Sequence, residues 1–215
     1  MLKRHECRFV GFVTPEGAMS NMPVNLDDPR VKRTRQLLLQ SFMDLLEQKK
    51  SIYSISVQDI ASHATVNRAT FYAHFQDKYA FLECWMSDKF RKIVEMRLPD
   101  YTLTGTGDLR TLIQVTFEFL ARLRKYMTPG DVQFEPMFEV AIQKEIERLL
   151  LRWLREKERV QASVAEEMIE TTAEVISWGI FGSAVQWSRN PGQRTAEAMT
   201  RDVLAVATTV LEPVI

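Results

Sequence analysis

Glycine and proline are scarce in this chain, eight of each among 215 residues, and histidine is scarcer, with His5, His63 and His74 alone. So few breakers leave long amphipathic stretches uninterrupted, which predicts an all-α protein. Cysteine is limited to Cys7 and Cys84, too few for a disulfide framework and consistent with a reducing compartment. No apolar run approaches the ~20 residues needed to cross a bilayer. Lys3 and Arg4 open the chain, but the apolar piece 9–13 is shorter than the ~7 to 15 residues of a signal-peptide core. A cytoplasmic protein with no membrane partner is the expectation. Charge of one sign is also missing: 28 basic and 28 acidic residues cancel. That argues against a histone-like coat of nucleic acid but not against a local basic patch.

Catalytic signatures are absent too. There is no Gly-rich phosphate loop, no His-Glu-x-x-His and no Cys-x-x-Cys. No histidine has a recognisable spacing to a Ser or Cys nucleophile. His5 and Cys7 are two potential ligands without partners, and Glu166-Glu167 belongs to a charged, solvated helix face. An enzyme, a metal site and a cofactor are therefore not expected. Cys84 reads as a small buried hydrophobe on its helix.

What the chain does contain is a dense run of local signals at 56–82. Ser56 is a natural N-cap, and Asp59 three residues on completes a capping box. Val57, Ile60, Ala61 and Ala64 then share an apolar face. After Thr65 and Val66, Asn67 caps a second short helix, with Val66 and Phe71 spaced as a hydrophobic staple. Phe71 and Phe75 point inward. Ala69, Thr70 and Ala73 lie opposite, flanked by Tyr72 and His74. A small, polar outward face on such a helix suits the major groove of DNA.

Ahead of this run, a helix from Asp28 or Pro29 to Lys50 carries Leu38, Phe42 and Leu45 inward and opens with Arg30, Lys32, Arg33, Thr34 and Arg35, a cluster suited to phosphate. Residues 1–27 show no period and are expected to be a disordered tail, with Met19 and Met22 as alternative starts. Beyond the run, helices are expected over 76–97, 108–127, 134–159, 162–189 and 194–211, with Asp77 in the first turn of the first and Asp108 as cap of the next. Breaks fall at 99–107, 128–130 and 190–192.

Thr34-Arg35, Val57-x-x-Ile60-Ala61 and above all Asn67-Arg-Ala-Thr-Phe-Tyr-Ala-His-Phe-x-x-Lys78, with Leu82 behind it, resemble the tetracycline-repressor (TetR) family of bacterial transcriptional regulators over about 30–82. The resemblance implies a DNA-binding domain at 28–79 with three helices, including a helix-turn-helix, and a larger helical effector-binding and dimerisation domain at 80–215. It implies a homodimer on a near-palindromic double-stranded operator, released by a small-molecule effector. Carried over by motif position, Arg68, Ala69, Thr70, Ala73 and Gln58 would face base edges. Tyr72, His74, Lys78, Thr34 and Ser56 would hold phosphates. Arg68 can pair with guanine O6 and N7, while Thr70 and the alanines can meet thymine methyls. Trp85, Phe90, Phe117, Tyr126, Phe134, Phe138 and Trp178 are candidates for an apolar effector pocket. The last two helices, with Gly179, Gly182, Ser183 and Ala184 among large apolar residues, are candidates for the dimer contact. An architectural or protein-partner factor on the same fold, without a ligand, is the alternative.

Where the family often has glycine in the turn, this chain has Thr65. If that position takes φ > 0, a β-branched residue there is strained by about 1 to 3 kcal/mol.

Overall fold

The structure is a computed structural model and describes residues 28–161, 165–192 and 194–211, with the helical backbone alone at 158–161. The expected tail at 1–27, with His5 and Cys7, lies outside the described residues. Among the described residues are eight α-helices: α1 Pro29–Lys49, α2 Val57–His63, α3 Arg68–His74, α4 Lys78–Glu95, α5 Thr106–Tyr126, α6 Glu135–Gln161, α7 Glu166–Arg189 and α8 Ala196–Leu211. The fold class is all-α. None of the described helices is long and apolar enough to cross a membrane.

Helix ends follow their caps. The Asp28 carboxylate accepts the Arg30 N–H at 2.8 Å and Pro29 fills the first position, where its missing N–H costs nothing. Four starts differ from expectation by two residues or more: α7 begins at Glu166 rather than 162, α8 at Ala196 rather than 194, and α4 and α5 differ as follows. Helix α4 begins at Lys78, because the Asp77 carboxylate accepts the Ala80 N–H at 2.7 Å and so stands outside the helix as a cap. Helix α5 begins earlier, at Thr106, which puts Asp108 inside its first turn. From there Asp108 reaches back to accept the Thr104 N–H at 2.8 Å and its hydroxyl at 2.6 Å.

The chain divides within α4 into two compact units, one ending at Trp85 and the other beginning at Met86. The first unit is built around aromatic rings. Phe42 of α1 meets Phe81 edge-on at 5.4 Å and Trp85 at 5.0 Å, while Phe71 lies 5.5 Å from Phe75 and 5.3 Å from Phe81. All five rings are buried. Edge-to-face pairs at such distances each add about 0.5 to 1.5 kcal/mol beyond the area they bury. In the second unit α6 packs on α7, α5 packs on both α7 and α8, and α7 packs on α8. Leu109, Ile113, Phe117, Ile142, Ile146 and Ile180 form part of its core.

Candidate nucleic-acid interface

Helix α2 starts at the expected reciprocal box. The Ser56 hydroxyl accepts the Asp59 N–H at 3.1 Å and the Asp59 carboxylate accepts the Ser56 N–H at 2.8 Å. Lys49 Nζ adds a 3.0 Å ion pair to the same carboxylate. These donors, the Ser56 N–H first and then Lys49, hold the Asp59 carboxyl down at about 2.

The helix ends in a Schellman turn: the Val66 N–H donates to the Ala61 carbonyl at 3.0 Å and the Thr65 N–H to the Ser62 carbonyl at 3.1 Å. That geometry needs a left-handed residue at Thr65, whose φ is +55°. Asn67 then caps α3 by accepting the Ala69 N–H at 3.0 Å. The turn sets the angle between α2 and α3, and the aromatic core below fixes α3 through Phe71.

Helix α3 presents Arg68, Ala69, Tyr72 and Ala73 to solvent, with Thr70 half-buried beside them. Arg68 Nη2 donates to Tyr72 Oη at 3.1 Å, and its guanidinium stands 5.5 Å from the centre of the Tyr72 ring. Pairs four residues apart on a helix support each other in this way, so the arginine is held along the exposed face. Gln58 is exposed on α2 and donates to Ser62 Oγ at 3.0 Å.

The groups assigned to phosphate have further duties. Lys78 Nζ donates to the Ile52 carbonyl at 2.8 Å, tying the start of α4 to the loop before α2. Thr34 Oγ1 donates to the Arg30 carbonyl at 3.0 Å. Ser56 Oγ donates to Asp59 at 2.8 Å. His74 is half-buried, and burial, followed by the charge of Arg35, lowers its pKa. Arg35 does not join the other basic residues of α1. Its Nη1 donates to the His74 carbonyl at 3.0 Å, its Nη2 meets Cys84 Sγ at 3.2 Å, and its guanidinium lies 4.3 Å from the Phe75 ring centre. It pins the end of α3, a role that its place in a basic run concealed.

The candidate effector residues differ in burial and in what they pack against. Trp85 sits in the aromatic core of the first unit, with Nε1 3.0 Å from Met43 Sδ. Phe90 and Phe117 are fully buried against Phe119 and Trp187 respectively. Phe134 and Phe138 are neighbours at 6.4 Å. Tyr126 and Trp178 stand in solvent, 72% and 49% exposed.

Comparison with known proteins agrees with this geometry. Residues 46–83 match the family model for bacterial regulatory proteins of the tetR family. An uncharacterized HTH-type transcriptional regulator of Bacillus subtilis (strain 168), YxbF, is 34% identical over 68 residues. That match covers 32% of this chain and only 18% of the relative's length. The crystal structure of Thermus thermophilus FadR, a TetR-family transcriptional repressor in complex with lauroyl-CoA, has the same fold at a TM-score of 0.56, with 21% identity over 81% of this chain and 93% of that one. Helix-turn-helix, family model and fold together show that this chain resembles the TetR family of bacterial transcriptional regulators.

Proposed function

We propose that this chain is a TetR-like transcriptional repressor that binds a near-palindromic operator as a homodimer and is released by a small-molecule effector. The observation that carries the reading is α3 itself. It is a short helix, capped at Asn67 and pinned at its far end by Arg35, whose solvent face bears Arg68, Ala69, Tyr72 and Ala73. Such a face enters a major groove, with Arg68 reading a base edge and Tyr72 and Lys78 positioning the backbone.

The dimer is proposed to form through α7 and α8. On α7, Met168, Val175 and Trp178 are each about half exposed (54%, 54% and 49%), and on α8 Val206 and Val210 are 69% and 38% exposed. Gly179 and Gly182 are exposed on the same side of α7, and a Cβ at either would meet nothing within 4 Å. A helix that keeps apolar residues in water at this spacing has a second helix to cover them, and a twin copy supplies one. Sedimentation of the chain should therefore give a dimer mass at micromolar concentration, and Trp178→Glu should shift it toward monomer. A monomeric wild type would refute the dimer.

Operator binding, measured by anisotropy on fragments selected from a random duplex pool, tests the DNA reading. Arg68→Ala should weaken the selected site by ~1 to 3 kcal/mol and relax preference at one position, while Lys78→Ala should weaken all sequences alike and reduce the salt slope by about one. Equal effects of both variants on all sequences would overturn the division between readers and anchors.

A further inference from the structure

We infer that the second unit holds a binding site for a monocarboxylate, with Arg152 as its anchoring cation. Glu145, Arg148 and Arg152 follow one another along one face of α6, at helical spacing. The Glu145 side chain is almost wholly buried and is satisfied from two sides, by Tyr101 Oη, which donates at 2.9 Å, and by Arg148 Nη1 at 2.5 Å. The charge of Arg91, itself paired with Asp88 at 2.7 Å, also faces Glu145. Arg152 differs from these groups. Its guanidinium stands 5.3 Å from the centre of the Tyr101 ring, yet its Nη2 is buried with no hydrogen-bond partner. The next residue, Trp153, has a buried indole N–H that is also without a partner.

Unsatisfied buried donors are costly, and a charged one more so, so the Arg152 Nη2 is a feature that needs an acceptor to explain it. The surrounding charges fix the kind of acceptor. Arg91 faces Asp88 and Glu95, Asp88 is shared with Lys92, and Arg148 pairs with Glu145, so with Arg152 four cations stand against three carboxylates and one positive charge is left over. One surplus positive charge suits a single negative charge. A phosphate dianion would meet the field of the Glu145 and Asp88 carboxylates for little additional gain. A planar carboxylate also matches the fork of a guanidinium.

Strain points to the same place. Asp100 and Tyr101 are consecutive residues at φ +57° and +52°, and they hold the Tyr101 ring beneath Arg152. Strained backbone persists where the structure around it over-determines it, and ligand clamps are such places. The inference rests on the effector reading above and gives it a chemical class: a carboxylic acid on an apolar body.

The test is thermal unfolding of the full chain with phenylacetate and octanoate, each beside its neutral amide, for the wild type and Arg152→Met. At least one carboxylate should raise the wild-type Tm by about 3 °C or more while its amide does not. In Arg152→Met that carboxylate should bind at least tenfold more weakly, and the ligand-free variant should melt no lower than the wild type, because an unpaired buried charge has been removed. Carboxylates that act no differently from their amides would overturn the site. So would an undiminished response in Arg152→Met, or a lower ligand-free Tm, which would make Arg152 a structural partner of Tyr101. Operator binding by the ligand-free wild type is read separately, so loss of the regulator reading and loss of the site are distinguishable.

Discussion

Among the described residues, L-residues stand at positive φ in three places, Lys50 at the end of α1, Thr65, and the pair Asp100 and Tyr101, and the last two do so for different reasons. Thr65 lies between α2 and α3, and its φ of +55° is required by the two backbone bonds of the Schellman turn. Its side chain is exposed. At Asp100 and Tyr101, after α4, two successive residues are left-handed, and the second sends its hydroxyl to a buried carboxylate on α6. The first turn is shaped by its own backbone and would take glycine gladly. The second is held open by a side chain 44 residues away in sequence. Positive φ alone therefore does not say whether a residue is a misfit or a working part; what its side chain touches does.

The sharpest way to break this contrast is to relieve both turns identically. Tyr101→Gly removes the backbone strain but also a ring and the hydroxyl that satisfies Glu145, and should lower stability by about 3 kcal/mol in urea unfolding. Thr65→Gly removes similar strain and loses no contact of comparable value, so it should raise stability by about 1 kcal/mol. If both variants moved stability in the same direction, the distinction between the turns would fail.

Acid titration gives the smallest effect and isolates the start of the helix-turn-helix. Asp59 has its folded pKa lowered to about 2 from the ordinary 3.8. Protons thus bind the unfolded chain first, and the contribution of Asp59 is full above about pH 3.8 and lost as pH falls towards about 2. The carboxylate is more than a third exposed and solvent screens it, so the change is modest. In Asp59→Asn the stability curve should be flatter across that window than in the wild type, with Arg68→Ala, which lies outside the box, as a control that keeps the wild-type slope.

Much of the first unit was readable from residues a few places apart. The Ser56–Asp59 box, the Asn67 cap, the Pro29 start and the inward pair Phe71 and Phe75 are all decided within a turn or two of helix, where side chain and backbone meet whatever the rest of the chain does. Even the misplaced starts of α4 and α5 failed by two residues, because Asp77 and Asp108 can each cap from outside the helix or from within its first turn. Arg35 was not readable: five basic or polar residues of α1 look alike in sequence, and only the packing of α3 against α1 selects one to pin His74, 39 residues on. The effector candidates show the same limit. Trp85 and Trp178 are both apolar residues on helices, yet one is core in the first unit and the other is half in water on α7.

By itself, then, the sequence determined the helices, their caps, the tight turn and the chemistry of the α3 face, since these depend on interactions between near neighbours along the chain. Only the tertiary structure decided that Arg35 is a pin, that Met168, Val175 and Trp178 share an uncovered face, and that Arg152 is left with a donor to spare beside Tyr101 and Glu145. Each of these depends on which distant helix lies opposite, and burial and charge balance are properties of that assembled neighbourhood rather than of any residue in it.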